Sequence, residues 1–307
     1  MKPLVRSVVE SNITSKSVVI LGAGRVGVSI GYLLSQKNYK VTFLARDIER
    51  TTALLANVSM DASVKNYEQY STPVETLLLT VNDDAITPVC DAIVDRGLVT
   101  AASRIIHFSG AQSSEVLKSA SIVGALTASL HPLQTLPDVL DGIRLLPGSH
   151  WFYEGHAGLD DFSASLVNML GGQLHRIKTA SKPLYHASAV LASNYLTAIL
   201  DAALKCAAQA GLTQQQIMPA LLPLIIGTIE NVAEKGAAKA LTGPIARADI
   251  ATVEQHLKHL EILPDVDQLY RNLGLYTADL ARDSNIISDQ DTAQLSQLLN
   301  RDKPGSS

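Results

Sequence analysis

Cysteine is nearly absent: Cys90 and Cys206 are the two in 307 residues, too few and too far apart for a disulfide framework or a thiolate metal site. That usage fits a reducing, cytoplasmic setting. Charge is sparse as well, at 18% of residues. The net charge of -4 supplies no basic field, which argues against nucleic acid or an anionic membrane as partner. Long apolar runs are also lacking on a strict count. The uncharged helical stretch Ala187 to Leu200 is shorter than the roughly 20 residues that span a bilayer, so no membrane contact is expected. Met1 to Ser17 mixes Lys2, Arg6, Glu10 and Lys16 with short apolar runs, unlike a signal peptide. His150, His156, His175, His256 and His259 form no ligand constellation with carboxylates, and no metal is expected.

Apolar residues are what the chain has in quantity. At 47% hydrophobic with so little charge, some surface should be buried between subunits, most simply in a homodimer. The length favours two domains. In the first half, short β-branched runs alternate with helical patterns: Ser17–Leu21, Lys40–Leu44, Thr76–Val81 and Arg104–Phe108. Continuous apolar strands separated by helices predict a parallel sheet covered on both faces. Further strands are expected around Ser121–Gly124, at His150–Glu154 and at Gln173–Ile177, with a helix from Leu159 to Leu170 closed by Gly171 and Gly172. After Thr179 the texture changes to long helical patterns, beginning with Pro183 to Ala210 and a stop at Gly211. This places an α/β unit over 1–180, a helical unit over 181–300 and a frayed tail over 301–307.

Gly22-Ala23-Gly24-Arg25-Val26-Gly27 directly follows the first strand and opens a helical pattern. In that context the glycines read as a dinucleotide fingerprint: a tight turn, a close backbone approach for pyrophosphate, and close helix packing. The helix N-terminus adds amides and positive dipole. About 20 residues further on, where an acid would grip the ribose of NAD, stands Arg46. A guanidinium suits a 2′-phosphate, so NADP(H) is the expected cofactor, with Asp47 turned inward as the arrangement that would favour NAD instead. Val81, Ser109 and Gly110 lie at strand ends where the rest of the dinucleotide and its substrate would sit. Asp83 and Asp84 are expected as helix caps.

His107-Phe-Ser-Gly-Ala111, Ser129-Leu-His131-Pro132-Leu-Gln134-Thr135, Tyr185-His186 through Ala192-Ser193-Asn194-Tyr195-Leu196, and Leu241-Thr-Gly243-Pro244-Ile-Ala-Arg247-Ala-Asp249 together resemble a bacterial family. Its members pair a Rossmann-like domain with a helical C-terminal domain of unknown function, and the resemblance spans nearly the whole chain. The family is similar to ketopantoate reductase, pyrroline-5-carboxylate reductase and prephenate dehydrogenase. The resemblance therefore implies a Rossmann doubly wound sheet followed by an all-α domain like the C-terminal domain of 6-phosphogluconate dehydrogenase, which often builds dimers, and nicotinamide-dependent redox chemistry. Prephenate dehydrogenases carry a His-Pro pair, matched by His131-Pro132, and a Ser-His pair where this chain has Ser193-Asn194. Prephenate chemistry is thereby disfavoured.

Hydride transfer to a carbonyl or imine needs a nearby proton donor. His131 and His186 are the candidate acid/base groups, with Asn194 as a positioning donor. On one continuous helix His186, Ser193 and Asn194 would point to one cleft between the domains. Ser109, Gln134, Ser193 and Arg247 are candidate substrate ligands. Each residue also has a structural reading: a loop-stabilising imidazole for His131, interhelical hydrogen bonds for His186, Ser193 and Asn194, and a pairing of Arg247 with Asp249 or Glu254. Lys182 reads by default as an exposed linker lysine. The expected function is an NADP(H)-dependent oxidoreductase for a small polar carbonyl, imine or hydroxy-acid substrate. The alternative is a non-catalytic NADP(H) sensor.

Overall fold

The computed structural model describes residues 16–300, so the expected tail at 301–307 and N-terminal residues 1–15 lie outside the described part. Backbone contacts divide the chain into a unit ending at Ser193 and a unit beginning at Asn194. The division thus falls on the C-terminal side of the boundary expected near 180.

The first unit opens with β1 (Ser17–Leu21), α1 (Arg25–Ser35), β2 (Lys40–Ala45), α2 (Ile48–Asn57), β3 (Ser63–Asn66), β4 (Thr76–Leu79), α3 (Ile86–Asp95) and β5 (Arg104–His107). It continues through α4 (Lys118–Ile122), β6 (Leu126–Pro132), α5 (Val139–Leu145), β7 (His150–Gly155), α6 (Asp160–Met169), β8 (Gln173–Arg176) and α7 (Lys182–Ala192). The eight strands form one sheet in the order β3-β2-β1-β4-β5-β6-β7-β8. Two apolar clusters cover it, one around Ile20, Ile30, Phe43 and Trp151 and the other around Leu77, Leu79, Ile93 and Ile105. Strand order reverses between β1 and β4, which puts the carboxyl ends of those strands at the switch point where ligands bind in open α/β sheets.

Three expectations need correction. The run Ser121–Gly124 is the end of α4 and its turn rather than a strand; Gly124, at φ +89°, stops the helix, and β6 starts after it. A four-residue run with two apolar side chains does not carry enough periodicity to separate the two states. The sheet is not wholly parallel, because β7 runs antiparallel to β6, pairing His131 with Phe152 and Pro132 with Trp151. The connection between them leaves and re-enters at the same end of the sheet. It packs α5 on α1, where Ser29 Oγ donates to the Val139 carbonyl at 3.1 Å. Finally, the helix expected from Pro183 to Ala210 is broken at Ser193, whose φ of −123° and ψ of −69° are not helical.

The second unit is all helical: α8 (Asn194–Gln209), α9 (Gln214–Lys235), α10 (Ala237–Ala240), α11 (Ile250–Leu260), α12 (Pro264–Asp283) and α13 (Asp289–Leu299). Its core gathers Ile245, Val253, Leu257, Ala278, Leu295 and Leu299. No residue of α8 or α9 is fully buried, and Leu222, Leu224, Ile226 and Ile229 are exposed. Two helical spans, Thr179–Gln209 and Gln214–Lys235, are long and apolar enough to cross a membrane by length and composition. The stretch singled out from sequence missed this, since α9 alone is uncharged from Gln214 to Ile229.

Candidate functional site

The glycine loop is built against the end of β4. Gly22 sits at φ +117°, and a Cβ there would lie 2.6 Å from the Thr80 carbonyl carbon. Thr80 Oγ1 donates to the Gly22 carbonyl at 2.6 Å. A Cβ on Gly27 would stand 2.1 Å from that same carbonyl oxygen and 2.4 Å from Thr80 Oγ1. These two glycines are therefore demanded by packing, not by taste for flexibility. Gly24 differs: it is the N-cap of α1, makes no side-chain cap, and has nothing within 4 Å of its would-be Cβ. An open glycine at an uncapped helix N-terminus leaves room for a phosphate to meet backbone N–H groups. Ala23 and Val26 pack against the core beneath. The Arg25 guanidinium donates to the carbonyls of Leu136 and Pro137 at 3.2 and 3.1 Å, so what Arg25 retains for a ligand is its backbone.

Because β1 and β2 pair with Leu21 opposite Leu44, the segment after β2 lies beside the glycine loop. Asp47 caps α2 there, accepting from the Arg50 N–H at 2.9 Å. One oxygen of the Asp47 carboxylate is thereby engaged at the start of α2. Arg46 is exposed and makes no hydrogen bond or ion pair among the described residues. The glycine loop and the open N-terminus of α1 fit a dinucleotide.

At the ends of β4 and β5 the polar groups bind one another. Val81 is half-buried. Asp83 is not a helix cap as expected: it accepts from Ser109 Oγ at 2.7 Å, and that oxygen in turn accepts from the Gln112 and Ala111 N–H groups at 2.9 and 3.2 Å. His107, fully buried, accepts at Nδ1 from the Ser109 N–H and donates from Nε2 to the Ser113 carbonyl, at 3.2 and 3.1 Å. Burial, first, and then the Lys182 charge push its pKa down to about 3. The ring is neutral, and both its nitrogens are assigned by their partners.

Above Ser109 and Gly110 the structure gathers His131 from β6 with Tyr185 and His186 from α7. His131 Nδ1 and the Tyr185 hydroxyl are 2.8 Å apart, and the His131 and His186 ring centres are 6.2 Å apart. Both imidazoles close on Gly110, whose would-be Cβ lies 2.6 Å from His186 Cδ2 and 2.8 Å from His131 Nε2. Burial, followed by the charges of Lys182 and His186, holds the His131 pKa at about 4, and burial raises that of the Tyr185 phenol.

Lys182 is the largest correction. It is 0% exposed, its ammonium donates to Ser129 Oγ, and it pairs with Glu154 at 3.7 Å. Glu154 also accepts from the Ser114 N–H, Ser114 Oγ and Thr179 Oγ1 at 2.7, 2.8 and 2.9 Å. Lysine is seldom buried without such a partner, and sequence does not show that a partner sits on another strand. Burial brings the Lys182 pKa down to about 8 against the opposing pull of Glu154 and Asp83. What could have flagged the group is spacing: Lys182, Tyr185 and His186 stand at i, i+3 and i+4 of a helix.

Of the residues expected at the site, Ser109, Gly110, His131 and His186 come together. Gln134 is exposed and accepts from its neighbour Thr135 N–H at 2.9 Å. Ser193 ends α7. The single-face argument that joined Asn194 to His186 fails at that break, and Asn194 begins α8 in the second unit. Arg247 lies exposed in the second unit while Asp249 caps α11 through Thr252. Among the described residues no group of three or more His, Cys, Asp or Glu could hold a metal ion.

Residues 6–132 match the family described as a Rossmann-like domain, and residues 149–277 match a domain of unknown function (DUF2520). A Thermotoga maritima protein is similar in structure over 87% of this chain and 99% of its own, at 21% identity and a TM-score of 0.66. A Bacteroides fragilis protein named as a candidate NADP oxidoreductase aligns over 86% and 98%, at 19% identity and a TM-score of 0.69. A reductive aminase from Aspergillus terreus, solved with NADPH and ethyl-5-oxohexanoate, aligns over 93% and 92%, at 16% identity and a TM-score of 0.55. At these identities the likeness is one of fold. No protein of curated function matches the sequence.

Proposed function

We propose that this chain, a Rossmann-like domain joined to a DUF2520 domain, is an NADP(H)-dependent oxidoreductase acting on a small polar carbonyl, imine or hydroxy-acid substrate. The observation that carries the cofactor preference is Arg46, which is exposed beside the glycine loop and has no hydrogen bond or ion pair among the described residues, while Asp47 caps α2. When bound, NADPH would supply hydride from its nicotinamide. The chain would supply phosphate ligands at Gly24, Arg25 and Val26, a 2′-phosphate partner in Arg46, and hydrogen bonds for the substrate at His131 and His186.

A pKa of about 4 leaves roughly one His131 ring in a thousand protonated at pH 7. His131 is therefore better suited to orient a substrate heteroatom through neutral Nε2, or to accept a proton in the oxidative direction, than to act as the bulk acid. His186, on the other side of Gly110, takes the donor role in this reading. Fluorescence titration with NADPH and NADH tests it. We expect NADPH to bind at least tenfold more tightly, equivalent to about 1.4 kcal/mol, and Arg46→Ala to erase that difference while leaving NADH binding unchanged. A preference for NADPH that survives in Arg46→Ala would overturn the assignment.

For the exposed apolar faces of α8 and α9 we propose a second copy of this chain as cover. The Asp201–Lys205 ion pair within α8, at 2.8 Å, suits a protein interface better than hydrocarbon. Light scattering without detergent should give twice the chain mass. A monomer that sediments with lipid vesicles would point to a membrane instead.

A further inference from the structure

Two buried side chains have no part in the reading above: Lys182 and Glu154. They lie inside the first unit, in contact with the strand that carries His131. Side chains alternate along a strand, so Ser129 and His131 share one face of β6. Ser129 receives the Lys182 ammonium and lies 3.4 Å from the Ser109 carbonyl. One turn of α7 beyond Lys182, Tyr185 meets His131 Nδ1. A single residue thus ties α7 to β6 at Ser129, to β7 at Glu154, and through Ser129 to the Ser109-Gly110 turn.

We propose that Lys182 is a positioning residue for the His131–Tyr185–His186 cluster, anchoring the first turn of α7 to β6 and β7 and setting one fixed positive charge behind His131. It does not touch substrate: it is 0% exposed and its contacts are Ser129 and Glu154. Its role is to fix where the imidazole points and to keep it uncharged, so that Nε2 faces the Gly110 side as a neutral hydrogen-bonding group. The groups facing His131 are Lys182, Tyr185 and His186 from α7 and His107 from β5. Those facing Lys182 are Glu154 from β7 and Asp83 from the turn after β4. A like charge nearby disfavours the protonated ring, and the lowered pKa of His131 names Lys182 as its largest cause after burial.

The relevance of this to turnover rests on the oxidoreductase reading, but its test does not. Histidine ring resonances are followed by NMR from pH 7.5 to 3.5 in the full chain, with His131→Gln giving the assignment. In the wild type His131 should remain uncharged to about pH 4. In Lys182→Met/Glu154→Gln, which removes both charges together, its midpoint should rise by about one pH unit. Lys182→Arg, which keeps the charge, should leave it low. A residue that served packing alone would change stability in these variants without moving the midpoint. A midpoint in the double variant within about 0.3 unit of the wild type would overturn the proposal. If that variant does not fold, a wild-type midpoint near the ordinary histidine value overturns it equally. A protein that shows the shift but binds no NADPH would refute the proposed function and leave this inference standing.

Discussion

Acidification from pH 7 to pH 5 should destabilise the first unit through two imidazoles. His107 and His131 titrate at about 3 and about 4 in the folded chain, and near 6.5 once unfolded. Between those values the unfolded chain binds more protons than the folded one, so stability is fully present above the unfolded pKa and is lost as pH falls toward the folded pKa. For His107 the geometry gives the reason directly. A proton on Nδ1 would point at the Ser109 N–H it now accepts from, and Nε2 already carries the hydrogen donated to the Ser113 carbonyl.

At pH 5 nearly every unfolded histidine is protonated and neither folded ring is, which is worth about 2 kcal/mol for each, or about 4 kcal/mol together. Ordinary carboxylates remain ionised at pH 5, and Lys182, at about 8, is protonated throughout the window. Trp151, the single tryptophan and fully buried in the sheet core, reports this unit in urea titrations followed by fluorescence. His131→Gln should remove about half of the pH dependence. A stability that changes by less than about 1 kcal/mol between the two pH values would refute the argument that these rings are held neutral.

Two further substitutions probe the glycines that the site depends on. Gly27→Ala drives a methyl into the Gly22 carbonyl; it should cost about 1–3 kcal/mol and weaken NADPH binding at least about tenfold, read by urea titration and nucleotide fluorescence. Gly110→Ala sets a methyl 2.6 Å from His186 Cδ2 and 2.8 Å from His131 Nε2, so both rings must shift, at a cost of about 1–3 kcal/mol. Displacing His131 and His186 should also slow NADPH-dependent reduction of any carbonyl or imine the wild type accepts by about tenfold or more. An unchanged kcat/KM would show that these rings do not contact the substrate.

The Rossmann-like half was legible because its signals are local: β-branched runs followed by helical patterns, and a glycine fingerprint between a strand and a helix, where that context marks a turn and a close helix contact. Arg46 could be named for the same reason, but not its lack of a partner among the described residues or the capping of α2 by Asp47 beside it. The helical break at Ser193 and the reversal of β7 were invisible. No proline or glycine marks the first, and the second is a choice of strand direction between β6 and β7 that local patterning does not encode.

The sequence by itself determined that the first unit alternates strands and helices, where β1, β2, β4, β5 and the glycine loop lie, and that aliphatic residues greatly outnumber charged ones. Only the tertiary structure decided what the polar residues do. Lys182 looked like a linker lysine until Glu154 and Ser129, both from other strands, were found around it. His131 looked like an acid until burial and that neighbouring charge made its neutral form the stable one. The protonation state of a side chain depends on charges and solvent within a few ångströms in space, and residues far apart in the chain supply them.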